Sequence, residues 1–216
     1  MRNILIILAI LIGLGSTKSY AQLADKLVPH MGFMWEFATI KDVPTSSPQI
    51  FNSFYNFHLG TYYTLMHHND IFSLGVDASA QFGLNFQQYV NASRTQVFTR
   101  VDYMAQLPVF VMGKVGATAT PYNQQKIGIA GGIGGNYNYL SYNNNFNQKS
   151  KSSYFVPSFV VEGTLLSRGN PLTVRFHYGL AHPETNQKTT ARDGSFPPVT
   201  NRFLLGNFGI GILYGI

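Results

Sequence analysis

A strictly alternating stretch, FSLGVDASAQFGLNF at residues 72–86, limits most strongly what this chain can fold into. Every second residue from Phe72 to Phe86 is apolar, whereas the residues between them are small, polar or charged. Successive side chains of a β-strand point to opposite faces, so the stretch predicts a strand between two environments of opposite polarity. Such a strand belongs either to a soluble barrel or sandwich with an apolar core, or to a membrane barrel whose apolar face meets lipid.

The composition favours the membrane environment. Charged residues make up 11% of the 216 residues and aromatic residues 14%, whereas charged residues are about 25% of a soluble domain. The 21 glycines suit a crowded barrel interior, and the 13 tyrosines suit a membrane interface. Because the chain has no cysteine, an exported fold would rest on backbone hydrogen bonds and packing. The formal net charge of +6 is scattered along the chain, so we expect no nucleic-acid partner.

The first 21 residues have the composition of an export signal. Arg2 gives a positive start, residues 4–15 are apolar, and Ser19-Tyr20-Ala21 is a small-x-small cleavage site before Gln22. The apolar run is shorter than the roughly 20 residues of a spanning helix, although a retained anchor helix is the alternative. We therefore expect a cleaved signal peptide at 1–21 and one barrel domain at 22–216.

Eight alternating segments follow the signal, and none has an apolar stripe with a 3.6-residue period. The predicted strands are 30–40, 51–66, 71–86, 98–115, 127–140, 154–166, 172–181 and 202–216. HHND and SRGNP predict tight turns, and GATATPYNQQK predicts a longer link on the same side. KDVPTSSPQI, QQYVNASRTQV, SYNNNFNQKSKSS and HPETNQKTTARDGSFPPVT predict four long loops on the opposite side. Short periplasmic turns and long external loops are typical of outer-membrane barrels.

Two prolines lie inside predicted strands. Pro108 and Pro157 each lack the N–H group that a ladder of strands needs from every residue. We therefore expect a bulge or a displaced strand end at each of them.

The alternating pattern resembles the small outer-membrane β-barrel proteins of Gram-negative bacteria, the eight-stranded class that includes OmpA- and OmpX-like barrels. The resemblance covers the whole mature chain. It implies an all-β, antiparallel, up-and-down transmembrane barrel in the cell outer membrane, with outer-membrane lipid and the barrel-assembly machinery as partners. Members of this class end in an alternating strand with a terminal aromatic residue. The ending FGIGILYGI therefore implies an assembly signal at Ile210, Ile212, Tyr214 and Ile216, with isoleucine as the last residue.

The polar registers of the predicted strands place ionisable side chains inside the barrel. Eight strands leave an interior just wide enough for side chains to fill, and an unpaired buried ion costs several kcal/mol. We expect Arg175 to pair inside with Glu162, Glu36, Asp77 or Asp102, and Glu162 is favoured because SRGNP makes its strand a neighbour. The predicted lumen network consists of Glu36, His58, Asp77, Asp102, Glu162, Arg175 and His177. A narrow pore or a proton path is the alternative use of the same interior.

An enzyme site is a further alternative, because some outer-membrane barrels act on lipid A or phospholipids. The segment RFHYGLAHPETN places His177 and His182 near an external rim, where the resemblance to such lipid hydrolases implies a serine two positions after a histidine. That position is Gly179, so an acyl-transfer site would need Ser158 or another serine. We therefore expect no catalytic residues.

Metal and cofactor sites are not predicted either. His67 and His68 beside Asp70 offer ligands, but adjacent residues on a strand point apart, which favours a polar turn. GGIGG lies inside an alternating strand with no following helix, so it is not a phosphate-binding loop. The expected function is a structural or surface-interaction role, with a surface ligand or protein bound at the four external loops. The alternatives are a narrow pore, a lipid-modifying enzyme and a soluble exported barrel.

Overall fold

The structure, a computed structural model, describes residues 26–42, 50–90, 97–145, 148–191 and 199–215. Within these ranges the chain is all-β. The strands are β1 (Leu27–Asp42), β2 (Ile50–His68), β3 (Phe72–Val90), β4 (Val97–Gly116), β5 (Ile127–Asn145), β6 (Gln148–Ser167), β7 (Asn170–Gly179), β8 (Glu184–Ala191) and β9 (Val199–Gly215). None of the described residues belongs to a helix long and apolar enough to cross a membrane.

The strands form one closed antiparallel barrel with eight strand positions. Ladders join β1 to β2 and continue in chain order to β7, and β9 pairs with β1 to close the sheet. β7 and β8 are successive parts of the seventh position, because each pairs with β6 on one side and β9 on the other. Closure removes the sheet edges, whose N–H and C=O groups could not be satisfied in lipid. The predicted eight-stranded antiparallel barrel is confirmed.

Both predicted tight turns are present. Asn69 (φ 47°) and Asp70 (φ 56°) link β2 to β3, and the Ile71 N–H donates to the His68 carbonyl at 3.1 Å. Arg168 (φ 52°) and Gly169 (φ 84°) link β6 to β7 in the same way. Two consecutive residues with positive φ match the right-handed twist of a hairpin, and Asn, Asp and Gly adopt that region at the least steric cost.

The strands at the opposite end are longer than the sequence predicts. β3 continues to Val90, and β5 and β6 reach Asn145 and Gln148, so much of the predicted loops QQYVNASRTQV and SYNNNFNQKSKSS is strand. A bilayer needs only about 9–11 residues of tilted strand, whereas these strands have 19 or 20. Backbone pairing above the membrane needs no apolar side chains, so the apolar register ends before the ladder does. Residues 43–49, 91–96, 146–147 and 192–198 of the predicted long loops lie outside the described residues.

The predicted loop HPETNQKTTARDGSFPPVT also contains a strand, β8, and this expectation is corrected. β7 leaves β6 at the pair Ser158–Gly179, and β8 rejoins it at Lys151–Lys188. Six residues of β6 lie between these two pairs, against eight residues of the seventh position, so the seventh position carries a two-residue insertion. The break begins beside Pro157, which has no N–H to donate to β7 and only accepts a bond from the Leu180 N–H at 2.7 Å.

Pro108 behaves differently from Pro157, and the predicted bulge or displaced end there is wrong. The pairs Ala78–Val109 and Gln81–Gln106 on either side of it share one register. Proline removes one donor locally, but the long ladders on both sides hold the register.

The two faces of the wall have the predicted polarity. Phe72 and Phe82 are exposed on the outer face of β3, and the intervening Ser73 and Asp77 are fully buried. The same alternation gives every strand position an exposed apolar set, which includes Phe33, Trp35, Phe57, Leu59, Leu107, Val109, Val111, Ile129, Ile133, Val161, Leu165, Val174, Tyr178, Ile210 and Ile212. A soluble monomer rarely exposes an apolar patch larger than a few hundred Å². The belt therefore faces lipid, and the chain is a barrel of the outer-membrane type.

A charge placed on this belt should destabilise the barrel. Val109 is midway along the exposed apolar register of β4, so Val109→Lys should lower the free energy of unfolding in lipid vesicles by about 2–4 kcal/mol. Ser153→Lys is the matched control, because Ser153 is exposed beside Lys151 above the belt, and its effect should be below about 1 kcal/mol. Equal urea midpoints for both variants would show that Val109 does not meet lipid.

Candidate functional site

Arg175 on β7 is the centre of a charged cluster inside the barrel. Its side chain is 1% exposed. Nε donates to Glu162 Oε1 at 2.6 Å, and Nη1 and Nη2 donate to Asp77 Oδ1 and Oδ2 at 3.1 and 2.9 Å. Glu162 lies directly opposite on β6, whereas Asp77 reaches the guanidinium from β3. The planar guanidinium therefore holds one carboxylate along the wall and a second one through a two-bond fork.

Lys114 on β4 supplies a second buried cation. Its Nζ lies 3.4 Å from Glu162 Oε2 and 4.4 Å from the centre of the Tyr62 ring. The Tyr62 hydroxyl is hydrogen-bonded to Ser73 Oγ at 2.9 Å. Lys114 and Arg175 balance Asp77 and Glu162, so this cluster joins two cations to two carboxylates. This pairing offsets the free-energy cost of removing the four charges from water. A single buried ion would have no partner to offset that cost.

Two histidines stack beside this cluster. The rings of His30 and His58 are 5.1 Å apart, and His30 Nε2 lies 3.5 Å from Asp77 Oδ2. Both ring nitrogens of His58 are buried without a hydrogen-bond partner among the described residues. His30 is not among the residues predicted from the sequence, although it shares the inward register of Glu36 on the same strand, so period-two alternation from Glu36 identifies it.

Glu36 and His177 form a separate pair. Glu36 Oε2 lies 3.0 Å from His177 Nε2, and both side chains are fully buried. β9 lies between their strands, and its Gly209 leaves room for the carboxylate: a Cβ there would overlap the Glu36 carboxyl group. Asp102 is buried on the inward face of β4. Of the four carboxylates predicted as possible partners, Arg175 therefore contacts Asp77 and Glu162, whereas Glu36 contacts His177.

Amide side chains continue the interior between these groups and the long-loop end. Asn56 donates to Gln106 at 3.0 Å, Gln106 donates to Asn138 at 2.7 Å, and Asn207 donates to the same Asn138 oxygen at 3.4 Å. These residues come from β2, β4, β5 and β9. These amides were not predicted from the sequence as a group, because the predicted interior network contained only ionisable residues. Their shared inward register is the signal that identifies them.

Apolar side chains occupy the interior at the long-loop end. This cluster consists of Ala38, Phe54, Met104, Leu140, Tyr154, Val156 and Leu205. A second buried cluster of Tyr62, Phe110, Met112 and Val160 lies in the short-turn half. This second cluster lies beside the charged group and not beyond it, because Lys114 and Glu162 are nearer the short-turn end of their strands than Met112 and Val160 are.

The structure places the two histidines of the alternative lipid-hydrolase site on opposite faces of the wall. His177 points into the barrel, whereas His182 in the β7–β8 break lies against Gly206 on the outer face of β9. Ser158 Oγ donates to the Val156 carbonyl at 3.0 Å. His67 and Asp70 are exposed at the short-turn end, 3.4 Å apart. Within the described ranges, no three His, Asp or Glu side chains are grouped so as to hold a metal ion.

Comparisons with known proteins return structures alone, since no family model and no curated protein matches the chain. Ail, the attachment invasion locus protein of Yersinia pestis, solved with the heparin analogue sucrose octasulfate, is 11% identical with a TM-score of 0.45 over 88% of this chain and 98% of Ail. OprG from Pseudomonas aeruginosa is 11% identical with a TM-score of 0.47 over 88% and 94% of the two chains. The protease OmpT from Escherichia coli is 8% identical with a TM-score of 0.45 over 88% and 95%.

Removing the central guanidinium should destabilise the barrel strongly. Arg175→Leu leaves Asp77 and Glu162 buried without their main partner, so the free energy of unfolding should fall by about 3–5 kcal/mol. Arg202→Leu is the control, because Arg202 pairs with Glu184 at 3.0 Å on an exposed surface, and its loss should cost less than about 1 kcal/mol. An unchanged urea midpoint for Arg175→Leu would show that the cluster does not stabilise the fold.

The Glu36–His177 pair can be tested without changing either residue. Gly209→Ala forces the Glu36 carboxylate aside, so unfolding should be easier by about 1–3 kcal/mol. Gly163→Ala is the control, since a Cβ at Gly163 meets no atom within 4 Å. If both variants unfold at the same urea concentration, Glu36 does not depend on the space over Gly209.

Proposed function

We propose that this chain is a structural or surface-interaction protein of the outer membrane, in which a filled barrel is the rigid support and the long-loop end carries the specificity. The packing of the interior carries this proposal. Large side chains from different strands, among them Arg175, Tyr62, Phe54, Phe110 and Met34, are less than 2% exposed. A barrel of this strand number has room for side chains but little room for an aqueous channel as well.

The proposed closed lumen is supported by the burial of its side chains. The seven predicted network residues, Glu36, His58, Asp77, Asp102, Glu162, Arg175 and His177, are all buried. Arg175 pairs with Asp77 and Glu162, Glu36 pairs with His177, and His58 stacks on His30. The amides and the apolar cluster around Phe54 fill the interior towards the long-loop end. Buried ion pairs hold their side chains in one arrangement, whereas a conducting path needs mobile charges and water. In this proposal, the ion pairs hold the wall in one shape and do not carry ions.

The proposed recognition surface is supported by the length of the ladders. β5 and β6 project well beyond the apolar belt, and outward residues there, such as Ser153 and Lys151, are exposed and polar. A paired ribbon positions its tip more firmly than a free loop does, because its backbone is hydrogen-bonded along its length. Binding residues are commonly carried in this way on loops held by a rigid scaffold.

The proposed route to the membrane is export and assembly from the periplasm. The signal peptide at 1–21 is removed after Ala21, and the short turns stay on the periplasmic side. Ile210, Ile212 and Tyr214 are exposed on the outer face of β9, where the barrel-assembly machinery can contact them, and Ile216 lies outside the described residues. A surface ligand or protein at the external end is the proposed partner, beside the lipid itself.

Conductance measurements in planar bilayers separate this proposal from a pore. The folded chain should give no discrete channel openings, because buried side chains fill the interior and the apolar cluster around Phe54 excludes water at the long-loop end. Single-channel steps at neutral pH would contradict the closed lumen. Mass spectra of lipid A and phospholipids from expressing cells should match those of cells without the chain, and new acylation states would favour an enzyme instead.

The recognition role is tested by shortening the β5–β6 ribbon. Replacing residues 143–149 by Asn-Gly should leave heat-modifiable gel mobility unchanged and abolish adhesion of expressing cells to an array of glycans and matrix proteins. The matched control replaces GATATPYNQQK at the opposite end by a short turn, which should leave adhesion unchanged. The role would be contradicted if cells with the unaltered chain did not adhere, or if shortening the β5–β6 ribbon left adhesion unchanged.

A further inference from the structure

A cleft with a volume of about 820 Å³ opens at the short-turn end of the barrel. The β4–β5 link forms one side, and the start of β1 and the β6–β7 turn form the other. The link is held at two points: the Asn123 side chain donates to the Asp70 carbonyl, and the Lys126 carbonyl accepts a bond from the Leu166 N–H at 2.7 Å. Pockets of a few hundred to about 1,000 Å³ that are formed in advance are typical of ligand sites.

The charge of the cleft has one sign. Lys126 and Arg168 are exposed in its lining, and no Asp or Glu belongs to the described lining. The deep end continues into a narrow space of about 20 Å³ bordered by Lys114 and Glu162, which are paired with each other. The uncompensated charge therefore lies at the mouth, where it favours an anionic ligand.

A buried hydroxyl in the same lining is unused by the protein. Thr120 is 4% exposed, and its Oγ1 has no hydrogen-bond partner among the described residues. A buried polar atom that is left unpaired costs free energy, and a ligand group that pairs with it recovers that cost on binding. Thr120 thus marks a polar position in the wall of the cleft that has no partner among the described residues.

The other residues that line the cleft can contact the rings and hydroxyl groups of a saccharide. Pro29, Pro121 and Pro171 offer flat apolar surfaces to the C–H faces of sugar rings, while the Gln124 and Asn170 amides can bond to hydroxyl or N-acetyl groups. We propose that the cleft binds an acidic, N-acetylated saccharide, whose carboxylate lies between Lys126 and Arg168. This site is at the opposite end from the proposed recognition surface, and it does not depend on that function.

Calorimetric titration of the detergent-folded chain tests the site. The probe is the disaccharide of N-acetylglucosamine and N-acetylmuramic acid, and the matched control is the N-acetylglucosamine dimer, which lacks the carboxylate. We expect saturable binding of the acidic probe and binding of the neutral dimer that is weaker by about tenfold or more. Equal binding of both sugars, equal binding of inorganic phosphate, or no saturation by the acidic probe at millimolar concentration would overturn the proposal.

Variants assign the binding to this cleft. Arg168→Gln and Lys126→Gln should each weaken binding of the acidic probe by about twofold to fivefold, and Thr120→Val by about threefold to tenfold. Thr120→Val should not lower the urea midpoint, because the hydroxyl that it removes is buried without a hydrogen-bond partner in the free protein. Lys151→Gln, an exposed lysine at the far end of the barrel, is the control and should bind as the unaltered chain does. Unchanged affinity in all three cleft variants would place the binding elsewhere.

Discussion

The closing ladder between β1 and β9 is the constraint on which the rest of the structure depends. It pairs His30 with Gly215 and continues to Asp42 with Phe203, so the first and last strands share one uninterrupted register. In lipid, an open edge would leave a row of N–H and C=O groups without partners. A slip of one residue would exchange the faces of every side chain on β9. Closure therefore fixes which residues meet lipid and which meet each other inside.

The wall changes polarity along the barrel axis. Within the belt, an apolar outer face covers a largely polar interior, as the exposed Phe82 and the buried Asp77 and Gln81 on β3 show. Towards the long-loop end, the interior becomes apolar around Phe54 and Leu140, while outer residues such as Lys151 are exposed and charged. The projecting part therefore has the polarity of a soluble barrel, and it stays folded because apolar burial replaces the belt as its source of stability. The same strands therefore cross the lipid at one end and extend into water at the other.

The sequence predicted the wall better than it predicted the contacts within it. Period-two alternation identifies the strands and their faces, and the short turn after Ser167 makes Glu162 and Arg175 neighbours. Asp77 is 98 residues from Arg175, so its two hydrogen bonds follow from closure and not from any local pattern. β8 was not predicted from the sequence because ETNQKTTA has no apolar register. Its outer face lies above the lipid and needs no apolar side chains. Alternation signals a strand only where the two faces meet different environments.

The two-residue insertion in the seventh strand position follows from the same rule of alternation. Pro157 cannot donate to β7, and the β6–β7 ladder ends at the adjacent pair Ser158–Gly179. An insertion of one residue would turn the faces of β8 over relative to β7, which would bring inward residues out. Two extra residues restore the original faces, and β8 rejoins both β6 and β9 in matching orientation. His182 therefore lies on the same outer face as Phe176 and Tyr178, and Arg175 and His177 keep their inward positions. The wall keeps its two-sided pattern on both sides of the break.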